Sequence, residues 1–130
     1  MLRLPRILLV EDTPYLRSAF SRLLRYQGFG VVEASDGQNA IECLKCDLPD
    51  VIVTDLMMPV MNGIELIRYL RADPRTSRIP ILAISADSSE RTERSAREAG
   101  AADFIPKPVE LVPLLARILA LDTRNKSVAR

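Results

Sequence analysis

Glu11 and Asp12 follow the apolar run Ile7 to Val10, and Asp55 follows Val51, Ile52 and Val53. Each acid thus stands at the carboxyl end of a run fit for a buried strand, where an open α/β sheet places its ligand site. Ser85 closes a further run, IPILAIS, and Lys107 comes just after Asp103 to Ile105. Standing alone, an acid after a buried strand is an ordinary turn residue. Brought onto one rim within about 5 Å, three carboxylates repel by about 3 kcal/mol per pair at an effective dielectric near 20, so the site calls for a cation. The chain has no histidine, and hard oxygen ligands point to Mg²⁺. Asp55 is then placed as a nucleophile toward a phosphoryl group, with an acyl phosphate as product. Lys107 covers part of the developing charge, and the Ser85 hydroxyl is placed to hydrogen-bond an oxygen of the attached group.

The elements around these residues decide whether they meet. Arg6 to Val10 reads as a first strand, and Thr13 as N-cap with Pro14 at the first helical position starts a helix. That helix is expected to bury Leu16, Ala19, Phe20, Leu23 and Leu24 and to stop near Gly28. Val31 to Ala34 forms a second strand, leading to a helix over Gly37 to Lys45. The stretch from Asp50 to Gly63, DVIVTDLMMPVMNG, supplies the third strand and its loop, and a helix with Ile64, Leu66, Ile67 and Leu70 follows. Ile79 to Ser85 is the fourth strand. The helix after it, Ser88 to Ala99, is rich in Arg and Glu and offers only Ala96 and Ala99 as apolar contacts, so it should be weakly anchored. Asp103 to Ile105 is a short fifth strand, and the last helix carries Leu111, Leu114, Leu115, Ile118 and Leu119, with Pro113 in its first turn.

Strands and helices alternate five times, which implies an α/β, flavodoxin-like, doubly wound parallel sheet of order 2-1-3-4-5 with five flanking helices. That order sets the first and third strands side by side. Glu11 and Asp12 then face Asp55, and Ser85 and Lys107 arrive at the same rim. Independent turn residues have no reason to converge in this way.

Composition excludes several other classes. At 130 residues, 48% hydrophobic and 27% charged, the chain fits one globular domain. Lys and Arg number 18 against 17 Asp and Glu, so no basic field exists for direct nucleic-acid binding. Residues 1–65 hold 6 basic and 9 acidic groups and residues 66–130 hold 12 and 8, which places an acidic pocket in the first half. No run is long enough to insert into a membrane, and Ile7 to Val10 is too short for a signal-peptide core, so a cytoplasmic protein is expected. Cys43 and Cys46 form a CxxC, but zinc would need two further ligands and the chain holds no other cysteine. The pair also lies toward the end of its helix rather than at the N-terminus that activates redox thiols, and it reads as two small semi-buried helix residues.

At Glu11 and Asp12, the DLMMPVMNG segment around Asp55, Ser85, and Lys107 with Pro108, the chain resembles the receiver domain of bacterial two-component response regulators, of the single-domain chemotaxis-regulator type. The resemblance covers residues 4–121, so a receiver domain is expected over 1–121 and a polar, frayed tail over 122–130. It implies that Asp55 is the phosphoacceptor and that Asp12 and Asp55 bind Mg²⁺ directly. Glu11 would act through water, and the backbone carbonyl of Met57 would complete the protein ligands. It further implies a cis Lys107–Pro108 bond, and a switch in which Ser85 moves inward with an aromatic side chain of the fifth strand, here Phe104. Met57 and Asp87 stand where such domains tune the lifetime of the phosphoryl group, and Asp87 is placed either to position water or to repel the group.

The phosphodonor implied is a histidine kinase or a histidine phosphotransfer protein, since the chain has no histidine of its own. The implied output is a downstream protein docking on the face of the fourth helix, fifth strand and fifth helix. A flavin module would need a Ser/Thr-rich phosphate loop where Glu11 and Asp12 stand. An aspartyl-phosphate phosphatase would need an acid where Met57 stands. Two other readings are a receiver-like interaction scaffold that is not phosphorylated and a receiver excised from a hybrid histidine kinase.

Overall fold

The β-branched and leucine runs form the strands, and the computed structural model describes residues 3–124. Its elements are β1 (Arg6–Val10), α1 (Pro14–Tyr26), β2 (Gly30–Ala34), α2 (Gly37–Cys46), β3 (Val51–Asp55), α3 (Gly63–Ala72), β4 (Ile81–Ser85), α4 (Glu90–Ala99), β5 (Asp103–Pro106) and α5 (Leu111–Leu121). The strands pair in parallel in the order β2-β1-β3-β4-β5, the flavodoxin-like arrangement that the alternation implies. All five residues of β3 and of β4 are buried, because helices cover both faces of the sheet. Leu8, Ile52 and Ala83 pack under Ile41, Leu66, Leu70 and Ala96 of α2, α3 and α4. Ile7, Val53 and Leu82 pack on the other face against Leu24 of α1 and Leu114 and Ile118 of α5. Among the described residues, no helix is long and apolar enough to cross a membrane.

Several boundaries and faces differ from the sequence expectation. Strand β4 begins at Ile81, not Ile79: the Ile79 amide bonds Thr76 O at 3.1 Å and its carbonyl accepts Arg71 Nη1 at 2.7 Å, so it belongs to a turn. Helix α1 is rotated from the expected face. Leu23 is 43% exposed and Ala19 is exposed, whereas Ser21 and Leu24 are buried. The acid Glu33 on β2 accounts for the rotation, since it accepts the Ser21 hydroxyl at 3.1 Å and pairs with Arg17 and Arg25. Helix α4 starts at Glu90 with Ser89 as its N-cap, two residues later than expected. Asp122, expected in a frayed tail, is buried and paired with Arg124, which also reaches Asp50 and the Arg3 carbonyl. The remainder of the expected tail, 125–130, lies outside the described residues.

Two helices are fixed by contacts that matter for the site. Gly63 opens α3 directly behind the end of β3, where a Cβ would stand 2.4 Å from Asp55 O and 2.7 Å from Leu56 Cα. Asn62 and Glu65 cap the helix reciprocally. Helix α4 buries only Ala96, as its composition implies. Its far end is held instead by Arg71, whose Nε donates to Gly100 O at 3.0 Å. The same guanidinium serves the carbonyls of Thr76, Ser77 and Ile79.

Candidate functional site

The parallel pairing of β1 with β3, Leu9 beside Val53 and Val10 beside Thr54, carries the acids that follow both strands to one point. Glu11, Asp12 and Asp55 each offer a carboxylate oxygen, and these oxygens lie within 4.8 Å of one another. Glu11 is 3% exposed and Asp55 5%, while Asp12 is half-buried at the mouth. Three acids this close fit a hard divalent cation bound through oxygen, and no softer donor stands among them.

Lys107 completes the cluster from the end of β5. Its Nζ donates to Asp55 Oδ2 at 2.6 Å and to Glu11 Oε1 at 3.2 Å, and the Lys107–Pro108 bond is cis. Burial pulls the lysine pKa down, but the two acids outweigh it and raise the value. Burial pushes the Glu11 carboxyl up, with Asp55 adding to it, against the Thr13 N–H and Lys107. Asp55 is held on its other side by Met57 N–H, which donates to Oδ1 at 2.9 Å. Its plane is therefore fixed from both edges.

The loop after Asp55 is tight. Val60 has φ 66, and Met61 N–H donates back to Pro59 O at 2.7 Å across it. A β-branched residue in the left-handed region is strained, and Val60 is fully exposed there.

Ser85 is buried at the end of β4, one position past the residue in register with Asp55. Its Oγ accepts Asp87 N–H at 3.1 Å. Phe104 is 5% exposed in the core beside Ala83 and Ala96. The Asp87 carboxylate is turned into α4, where it accepts Ser89 N–H at 3.0 Å and the Thr92 hydroxyl at 2.6 Å. Those two bonds hold its pKa below the ordinary Asp value, the Thr92 hydroxyl contributing most. Thr92 has no place in the sequence reading, and its only trace there is a polar residue three positions after Ser89. Of the CxxC pair, Cys43 is half-buried and Cys46 exposed, and burial raises the Cys43 thiol pKa, away from the activated thiolate range.

A model of the response regulator receiver domain matches residues 7–119. The response regulator MprA of Mycobacterium leprae is 41% identical over 121 residues, covering 93% of this chain and 52% of its own length. The chain thus spans about half the length of the curated relatives it matches. Among solved structures, the receiver domain of the Francisella response regulator 1452 superposes with a TM-score of 0.85 at 27% identity, over 93% of this chain and 98% of its own. The receiver domain of the sensor histidine kinase PA1611 of Pseudomonas aeruginosa, which holds a magnesium ion in its active-site cleft, superposes with a TM-score of 0.83. It is 29% identical, over 90% of this chain and 96% of its own.

Proposed function

Because this chain belongs to the response regulator receiver domain family, we propose that it accepts a phosphoryl group on Asp55 from a histidine kinase or a histidine phosphotransfer protein and switches a partner-binding face. The observation that carries this reading is the meeting of three carboxylates within 4.8 Å with the Lys107 ammonium 2.6 Å from Asp55. Glu11, Asp12, Asp55 and the Met57 carbonyl would hold Mg²⁺. Bound there, the ion would supply positive charge to offset the negative charge of the acids and of the transferring group.

The chain's own residues do the rest. Met57 N–H and Lys107 fix the Asp55 carboxylate, so that one of its oxygens forms the new bond to phosphorus as the bond to the donor histidine nitrogen breaks. Lys107 faces the charge that develops on the transferring group. Ser85, whose Oγ already accepts Asp87 N–H, keeps its own proton to donate to a phosphoryl oxygen. The exposed side chains of Tyr15, Leu23 and Tyr26 run along α1 away from Asp12, and this apolar stripe suits the donor's docking surface. The output face is that of α4, β5 and α5, where Phe104 responds by packing because it has no hydroxyl.

The test is intact-mass spectrometry after incubation with acetyl phosphate, with Mg²⁺ or with EDTA. One phosphoryl group gained only with Mg²⁺, and absent in Asp55→Asn, is the expected result. No gain in the folded protein, or retained phosphorylation in Asp55→Asn, overturns the assignment.

A further inference from the structure

The Ser85 hydroxyl is joined to the first turn of α4 by an unbroken series of hydrogen bonds. Asp87 N–H donates to Ser85 Oγ at 3.1 Å. The carboxylate of the same residue accepts Ser89 N–H at 3.0 Å and the Thr92 hydroxyl at 2.6 Å. Thr92 in turn receives the Ser89 hydroxyl at 3.1 Å and donates its N–H to Ser89 Oγ at 3.2 Å.

Helix capping alone does not require this arrangement. Ser89 is the N-cap and already serves Thr92 N–H. The bond from the Thr92 hydroxyl to Asp87 is additional, and it fixes the residue whose amide holds Ser85. Little else fixes it. Residues 86 to 90 are all exposed, and α4 buries only Ala96. The polar series therefore decides where the loop sits, and with it the orientation of the Ser85 hydroxyl.

We propose that Thr92, acting through Asp87, is a positioning residue for the Ser85 hydroxyl, so that the phosphorylation site and the first turn of α4 are set together. The proposal rests on the reading of Asp55 as phosphoacceptor.

Four variants test this: Thr92→Val, which removes the hydroxyl at nearly constant shape, Thr92→Ser, which keeps it, Asp87→Ala, and Asp87→Ala with Thr92→Val. After acetyl phosphate is removed, loss of the phosphoryl group is followed by intact mass. Thr92→Val is expected to speed the loss about three- to tenfold, the equivalent of one ordinary hydrogen bond, and Thr92→Ser to stay within about 1.5-fold of the parent. In the Asp87→Ala background, Thr92→Val is expected to add nothing, because Thr92 acts through Asp87. An unchanged rate in Thr92→Val, or the same acceleration in both backgrounds, overturns the proposal.

A second readout needs no phosphorylation. In the unphosphorylated protein, amide hydrogen exchange at Asp87 is expected to rise in Thr92→Val while Ile52 and Leu82 keep their protection. Unchanged exchange at Asp87 overturns the proposal on its own. A parent protein that takes up no phosphoryl group instead refutes the function proposed for Asp55, and exchange still decides whether Thr92 holds the loop.

Discussion

Lys107 Nζ stands 2.6 Å from Asp55 Oδ2 across the whole width of β4, so a single ammonium at the end of β5 neutralises part of an acidic pocket built by β1 and β3. The same ammonium reaches Glu11 at 3.2 Å. The lysine thereby supplies part of the positive charge that the crowded carboxylates call for.

Removing that ammonium separates its two roles. Lys107→Ala is expected to bind Mg²⁺ at least as tightly as the parent, measured by calorimetry, because the ion no longer competes with a fixed cation. The metal-free variant should be less stable by about 2 kcal/mol, since three crowded carboxylates are left without their partner. Added Mg²⁺ should restore most of that loss. A large drop in Mg²⁺ affinity would contradict the role given to Lys107.

Gly63→Ala introduces a Cβ against backbone atoms of Asp55 and Leu56 that have no side-chain freedom to yield. A loss of about 2 kcal/mol or more in urea unfolding is expected. Phosphorylation should slow as well, because the shift falls on Asp55, the acceptor proposed above.

Val60→Gly is expected to act in the opposite direction. Valine at φ 66 costs about 1–3 kcal/mol, and glycine there costs about 0.5–1 kcal/mol in unfolded-chain entropy. A net gain of about 1 kcal/mol should appear as a melting temperature higher by a few degrees.

Asp103 supplies a pH dependence away from the site. Burial raises its pKa, but the Phe104 amide, Arg117 and Arg97 outweigh burial and leave the folded value below the ordinary one. The ionised form is thus favoured by folding. Its contribution is present above the unfolded Asp pKa of about 3.9 and is lost as the pH falls through the folded value. Asp103→Asn should melt below the parent at about pH 6, with the gap closing as the pH falls below the unfolded value and through the lower folded one.

The strand ends and their acids were legible in the sequence because burial on both faces of β3 and β4 demands continuous apolar runs, and those runs stop at Asp55 and Ser85. Strand order followed from handedness and alternation. What stayed hidden depends on polar partners far apart in the chain. Glu33 turns α1 so that Leu23 faces outward, and Arg71 keeps Ile79 out of β4. Neither contact leaves a periodic signal in its own segment. Thr92 was hidden for a similar reason: its partner Asp87 belongs to the loop, and the helix pattern by itself assigns Thr92 no task.

The grip of Arg71 on Gly100 determines how α4 can move. A helix of ten residues is about 15 Å long, so with its final turn pinned, a tilt of about 10° sweeps its opening turn through about 2.6 Å. The near end travels while the anchored end scarcely shifts. A tilt that begins at Ser89 would thereby describe a graded arc, widest at the first turn of α4 and vanishing toward Gly100, and a surface reading α4 would register angle rather than displacement.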